Sequence, residues 1–300
     1  MEEKIMKILV TGATGKLGSK VVELLLKTIP ADQLAVSVRN PEKAEGLRAH
    51  GVEVRQGDFD KPETLDAAFA GIDKLLIVSS SEVRLGGDEI RMRQHANAVA
   101  AAKRANVKFI AFTSAPKARN SDFFLAPVYK ATEEAIVKTG IPYSFLRNNW
   151  YLENEIGSIQ AAMAGAPWIT ATGDGKVGWA LRQDLAEATA NVLTGNGHEN
   201  TIYELSGELM THKDLFSTLE TILGKEISFQ QVDDDTYAEI MKGAGVPEAF
   251  LPMLINTQKG IREGGLEVES NDLEKLLGRP AVPMKEALTQ IVSQISHAAN

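Results

Sequence analysis

Apolar residues along this chain follow two alternating rhythms. Short strand-like runs occupy Ile5 to Thr11, Leu34 to Val38, Val52 to Arg55, Lys74 to Val78, Val107 to Phe112 and Tyr143 to Leu146. Stretches of helical spacing separate them. Leu17 to Leu26 has apolar residues at 17, 21, 22, 25 and 26, one face of a helix. Another helix opens at Pro41, and a long one runs from about Asp88 to Ala105. Near-continuous apolar strands separated by helices predict a parallel sheet covered on both faces. The expected class is α/β, a doubly wound parallel sheet of the Rossmann kind, which takes ligands beyond the carboxyl ends of its strands.

The rhythm breaks near residue 150. A helical pattern over 150–164 leads to the turn-rich segment Thr172-Gly173-Asp174-Gly175-Lys176, a hairpin or a wide loop. Arg182 to Leu193 is helical and Ile202 to Leu205 strand-like. Thr211 suits the cap of a helix through Leu223. Ile227 to Val232 and helices near 234–243, 247–260 and 271–278 finish the chain. The expected organisation is a dinucleotide-binding domain over 1–150, to which 176–195 returns. A smaller C-terminal α/β lobe of 151–175 and 196–300 closes over its open edge.

Composition narrows the function. Of 300 residues, 44% are hydrophobic, enough for a sizeable core. A net charge of −8 disfavours a nucleic-acid groove, which needs clustered Lys and Arg. With no cysteine there is no disulfide, thiolate nucleophile or Cys-type zinc site. The five histidines show no H-x-x-x-H spacing, so no metal is expected. Met1 to Lys4 lead straight into the first strand without an apolar leader, and no long apolar run follows. The expectation is a cytoplasmic monomer or homodimer with no membrane or nucleic-acid partner.

Gly12-Ala13-Thr14-Gly15-Lys16-Leu17-Gly18 sits where the first strand becomes the first helix. Gly12 permits the turn, Gly15 lets backbone approach a pyrophosphate, and Gly18 lets the helix pack close to the sheet. The helix N-terminus adds free N–H groups and a favourable dipole. The spacing is G-x-x-G-x-x-G, a variant of the dinucleotide fingerprint. At the second strand's end an acid would bind the ribose 2′-hydroxyl of NAD. Here the segment reads Ser37-Val38-Arg39-Asn40-Pro41, with no acid. Arg39, about twenty residues past the loop, suits a 2′-phosphate, with Lys43 and Lys16 adding charge. The cofactor expected is NADPH (NADP), against the plainer reading of Arg39 as a solvated surface residue. Asp58 either accepts from the adenine amino group, with Phe59 against the ring, or caps the next helix. Ser79, Ser80, Ser81 and Thr113, at strand ends, are expected along the ribose and nicotinamide side. Asn148 and Asn149 suit a nicotinamide carboxamide or an oxygen of a bound ligand, and Trp150 and Tyr151 suit a flat ring. The alternative for this cluster is packing at a hinge between lobes.

Together VTGATGKLG (10–18), VRNPEKA (38–44), KLLIVSSSE (74–82), VKFIAFTS (107–114), YSFLRNNWYLEN (143–154), GDGKV (173–177), HENTIYEL (198–205) and LLGRP (276–280) resemble the NmrA-like branch of the atypical short-chain dehydrogenase/reductases. Within it they resemble the NAD(P)H:quinone oxidoreductase type 2 group. The resemblance implies NADPH at the glycine loop, Arg39 and the serine run. It also implies that the segment from Tyr143 through Arg147 to Asn148 passes beside the cofactor. A quinone or dye-like acceptor would sit between the lobes and take hydride, since triphenylmethane-dye reductases share the pattern. NmrA-type proteins also include nucleotide sensors without turnover, and a non-catalytic NADP(H) redox sensor is the alternative.

Typical short-chain dehydrogenases use Tyr-x-x-x-Lys to move a proton. The matching segment is Tyr129-Lys130-Ala131-Thr132-Glu133, with Glu133 in the lysine's place. Lys130 does not substitute, because helix neighbours point about 100° apart. The broken dyad disfavours alcohol chemistry but not quinone reduction, where hydride reaches an electron-poor acceptor and water supplies the proton. Tyr129 stays the candidate catalytic hydrogen-bond donor, against the reading of a helix-surface aromatic. His95 needs no role, Asp184 and Arg182 serve the start of their helix, and Gly264-Gly265 marks a flexible loop with the makings of a lid.

Overall fold

The structure is a computed structural model and describes residues 6–82 and 87–298. Ile5, the first residue of the expected first strand, lies outside them. In chain order the first half holds β1 (Ile8–Thr11), α1 (Gly18–Leu25), β2 (Leu34–Val38), α2 (Glu45–Ala49), β3 (Glu53–Gln56), α3 (Pro62–Phe69), β4 (Lys74–Ile77), α4 (Gly87–Arg104), β5 (Phe109–Ser114), α5 (Ala126–Thr139) and β6 (Tyr143–Asn148). The second half begins with α6 (Ile156–Met163), β7 (Trp168–Thr170), β8 (Lys176–Val177), α7 (Arg182–Thr194), β9 (Thr201–Leu205), β10 (Met210–Thr211) and α8 (His212–Leu223). It ends with β11 (Phe229–Gln231), α9 (Asp234–Gly243), α10 (Leu251–Arg262), α11 (Asp272–Leu277) and α12 (Met284–Ala298).

Seven strands form one parallel sheet in the order β3-β2-β1-β4-β5-β6-β9. Because side chains alternate along a strand, β1 feeds two cores. Ile8 and Val10 pack with Val21 and Leu25 of α1 and Leu185 and Leu193 of α7. Leu9 packs on the other face with Leu65 and Phe69 of α3 and Ala98 and Ala102 of α4. Burying each Leu or Phe contributes about 1.5–3 kcal/mol, which explains why the strands read as continuous apolar runs. Strand order reverses between β1 and β4, and the crevice there opens at the strands' carboxyl ends.

A third core lies apart from the sheet. Trp168, Trp179, Leu215 and Phe216 pack with Leu288 and Ile291 of α12. Two small pairings belong here: β7 with β11 in parallel, and β8 with β10 in antiparallel fashion. The Thr172–Lys176 segment is therefore a wide loop, since β7 and β8 do not pair with each other. Two other expectations are corrected. β9 is the seventh strand of the main sheet, paired with β6, so 201–205 do not belong to the smaller lobe. The final helix α12 was not expected. It supplies Ala287, Leu288 and Ile291 to the lobe core at amphipathic spacing. Thr211 caps α8 as expected, in a reciprocal pair with Asp214.

Candidate active site

At the end of β1 the chain turns through Gly12 in the left-handed region, at φ +62°. The Gly15 amide donates to the Gly12 carbonyl at 2.9 Å and closes the loop. A Cβ on Gly18 would collide with that same carbonyl oxygen, so glycine is required where α1 meets the sheet. Ala13 and Leu17 are buried beneath the loop, while Gly12, Thr14, Gly15 and Lys16 face outward. The amides of Lys16 and Leu17 have no acceptor among the described residues. Free amides beside a helix N-terminus form an anion cradle.

Arg39 follows β2 directly, exposed and without an ion pair among the described residues. Lys43 is exposed in the adjoining 3-10 turn, whose first amide is capped by Asn40. Across from them Asp60 accepts from Arg93 Nη2 and Gln94 Nε2, each at 2.8 Å. Those hydrogen bonds hold the Asp60 carboxyl below its usual range, and Arg39 adds a weaker pull. Asp58 does not cap α3. Its Oδ1 accepts from the Asp60 amide at 3.0 Å, which shapes the turn before α3. Phe59 packs against the α3–α4 core, and its carbonyl accepts from Asn97 Nδ2 at 2.8 Å.

The hydroxyls at the strand ends are largely committed to one another. Thr113 Oγ1 accepts from the Ser79 amide at 2.8 Å and lies 3.3 Å from Ser79 Oγ. All three polar groups of Ser80 are held by α4. Its carbonyl accepts from Arg91 Nε and its amide donates to His95 Nε2, both at 2.9 Å, and its hydroxyl donates to Gln94 Oε1. Ser81 is exposed beyond them. Sequence reasoning passed over His95, which is fully buried. Thr132 Oγ1 donates to the Val128 carbonyl, so His95 Nδ1 must be the donor to Thr132 Oγ1, at 2.8 Å. Burial, with Arg91 nearby, pushes the His95 pKa down to about 3 and keeps the ring neutral. A histidine on a mixed helix face gave no sign of this. Only the fold brings β4 and α5 to either side of the ring.

β6 carries the sharpest corrections. Tyr143 begins the strand, about 16 Å from its carboxyl end at 3.3 Å per residue, and stacks on Phe145 away from the crevice. It is not placed to touch a cofactor at the strand ends. Arg147 is buried and spent on ion pairs. Nε and Nη2 donate to Glu133 at 2.9 and 2.8 Å, and Nη1 donates to Glu204 at 2.8 Å. Burial alone would favour losing its proton. The bonds to both carboxylates overcome that and raise its pKa above the usual range. Arg119 Nε and Ser114 Oγ also donate to Glu133, at 3.0 and 2.8 Å. Glu133 is therefore a structural ion-pair partner, turned from Tyr129 toward the strands.

Asn149 is also reassigned from a pocket role to the join between the lobes. Its Nδ2 donates to Ser206 Oγ at 3.1 Å and to the Leu266 carbonyl at 3.0 Å, and its Oδ1 accepts from the Trp150 amide. Trp150 stands edge-on to Phe123 in the third core, the hinge-packing alternative. The Gly264–Gly265 loop is pinned rather than free. Leu266 and Glu267 are held by Asn149 and Lys117, and Gly265 packs on Phe123. Asp184 bonds Arg279 and the Val282 amide, and Glu153 takes the Arg182 amide instead.

Four side chains remain at the crevice: Asn148, Tyr151, Arg182 and Tyr129. Asn148 is buried; its Nδ2 donates to the Tyr151 hydroxyl at 3.2 Å, and its Oδ1 is buried without a donor. Arg182 lies over the Tyr151 ring, 4.9 Å from its centroid. Tyr129 is half-buried on α5, packed on Phe112, with Arg91 5.0 Å from its ring centroid.

A doubly wound sheet with a G-x-x-G-x-x-G cradle and no Tyr-x-x-x-Lys dyad defines a class, and the chain belongs to it: residues 4–277 match the NmrA-like family. It is 41% identical over 285 residues to Quinone oxidoreductase 2 of Escherichia coli (strain K12), covering 95% of this chain and 98% of that protein. The crystal structure of the NADPH-dependent quinone oxidoreductase of E. coli complexed with NADPH superposes with a TM-score of 0.89. Identity there is 41%, covering 98% of this chain and all of that one. The Citrobacter sp. triphenylmethane reductase complexed with NADP(H) gives a TM-score of 0.90 at 40% identity, covering 95% of this chain and all of that one.

Proposed function

We propose that this protein is an NADPH-dependent reductase of quinones and similarly flat, electron-poor acceptors. The observation that carries this is the pairing of an open phosphate cradle and free Arg39 with a crevice whose proton-relay lysine is replaced by a buried, ion-paired Glu133. Similarity over nearly the full chain to a quinone oxidoreductase and a triphenylmethane reductase supports it.

The residues fit the cofactor. The Lys16 and Leu17 amides suit its pyrophosphate, and Arg39, with Lys43 and Lys16 near, suits a 2′-phosphate. Asn148 Oδ1, buried and lacking a donor, suits a carboxamide N–H; an unmet buried acceptor costs about 1–3 kcal/mol. When bound, NADPH supplies hydride. The chain's part is to orient the partners between Tyr129 and Tyr151 and to stabilise charge on the acceptor. No described helix is long and apolar enough to cross a membrane. We read the protein as cytoplasmic, a monomer or homodimer, without a nucleic-acid partner.

The test is NADPH consumption by the purified protein with a simple quinone, against a Gly15→Asp control. The expected result is turnover in the wild type and loss of both turnover and NADPH binding in the variant. Tight NADPH binding with no turnover over a broad quinone and dye panel would overturn the reductase in favour of a redox sensor.

A further inference from the structure

Tyr129 holds the place of a proton-handling tyrosine and has Arg91 over its ring, yet among the described residues no side chain bonds its hydroxyl. A second tyrosine is better built for the task. We propose that Tyr151, held by Asn148 and Arg182, is the catalytic hydrogen-bond donor to the acceptor oxygen that gains charge as hydride arrives. This rests on the reductase reading above.

Tyr151 follows β6 by three residues, at the ligand end of the sheet. Its backbone is fixed by pairing with Ala180: the Leu152 amide donates to the Ala180 carbonyl at 3.0 Å, and the Ala180 amide to the Trp150 carbonyl at 3.1 Å. Asn148 Nδ2 donates to the phenolic oxygen and occupies a lone pair there. The phenol's own proton must point elsewhere, and it has no acceptor among the described residues. Arg182 over the ring places a fixed positive charge 4.9 Å from its centroid. The Glu153 carboxylate holds Arg182 by its backbone amide, at 3.0 and 3.1 Å. Tyr129 approaches from the other face of the sheet, close enough to raise the Tyr151 pKa further.

Burial pushes the Tyr151 hydroxyl up to about 12, against the opposing pull of Asn148 and Arg182. The phenol therefore stays neutral over the working range and donates a hydrogen bond without giving up its proton. The balance is simple. The C–H bond of the dihydronicotinamide breaks and hydrogen leaves with both electrons. The quinone is reduced to a hydroquinone anion as NADPH is oxidised to NADP+. Tyr151 O–H stabilises the new oxyanion, and water supplies the last proton. A cationic triarylmethane dye makes a different demand, because hydride at its central carbon gives a neutral product and no oxygen gains charge.

Tyr151→Phe keeps the ring under Arg182 and removes the hydroxyl, both as donor to the acceptor and as the acceptor of Asn148 Nδ2. Three readouts are needed: NADPH affinity by nucleotide fluorescence, kcat with p-benzoquinone and with a cationic triarylmethane dye, and binding of p-nitrophenolate to the NADP+-loaded protein by its absorbance. Loss of one oxyanion donor should lower the quinone kcat roughly 100-fold, with NADPH affinity and dye kcat within about threefold. Nitrophenolate binding should weaken in parallel, and it decides the matter if the dye is not turned over. Unchanged quinone kcat, equal loss with both acceptors, unchanged nitrophenolate binding, or a quinone-selective loss in Tyr129→Phe instead would overturn the proposal. A wild type that binds NADPH but turns over no acceptor would overturn the reductase reading itself, and this proposal with it.

Discussion

Arg39 shows how much one exposed side chain can carry. It has no ion-pair partner among the described residues, which leaves its charge open to a ligand, and its guanidinium can hold a phosphate in bidentate fashion. Arg39→Glu should weaken NADPH binding about 10- to 100-fold, the worth of a charge-assisted contact, and change NADH binding little. Fluorescence titration with both nucleotides checks it; equal loss for both would remove the discriminating role. Arg147 is the opposite case. In the sequence it is another arginine near a strand end, yet the fold buries it between two carboxylates and leaves nothing for a cofactor. Sequence does not separate the two arginines, because the difference lies in which carboxylates tertiary contact brings near.

Elements were legible where burial imposes a period. Strands β2 to β6 stand within a residue or two of their expected bounds, since a strand covered on both faces must be apolar throughout, and β1 ends at Thr11 as expected but begins at Ile8. β9 was found as a strand but given to the wrong layer, because its pattern does not say which sheet it joins. β7 and β8 are three and two residues long, too short to leave a period. In α5, the departure from Tyr-x-x-x-Lys was plain, but its structural meaning was not. Glu133 now locks α5 to β5 and β6 through Ser114, Arg119 and Arg147. Glu133→Lys, which restores the motif's spelling, should yield no alcohol dehydrogenase. It would set a third cation against Arg147 and Arg119 and destabilise the fold by about 3–5 kcal/mol, the usual result of an unpaired buried charge. Urea unfolding and an alcohol-oxidation assay check both halves.

At the scale of the whole molecule, the lobe core is joined to the sheet domain by polar ties at the crevice: Asn149 to Leu266, and Lys117 to Glu267. These ties explain why a glycine pair that reads as a lid is held in place. The other global consequence is acid sensitivity. His95 is neutral in the folded state down to about pH 3, whereas its unfolded-state pKa lies near 6.5. Between those values the unfolded chain binds the extra proton, so stability falls as pH falls, by at most about 1.4 kcal/mol per pH unit. His95→Gln cannot titrate. It should be less stable than wild type at neutral pH and lose less stability on acidification to pH 5, as read from urea midpoints. An equal loss in both proteins would assign the acid limb to other groups.

The sequence by itself determined the layered sheet, the glycine loop, the missing relay and the basic residue that stands after β2 where an acid would select NAD. Each depends on local spacing or on the identity of residues near one another in the chain. Tertiary structure decided which polar side chains are free. His95, Glu133, Arg147 and Asn149 are held by partners 14 or more residues away. Among the described residues, Tyr151 combines a cation over its ring with a neighbouring amide that donates to its hydroxyl. A hydrogen bond satisfied within the fold is not available to a ligand, and that long-range accounting is set only when the chain has closed on itself.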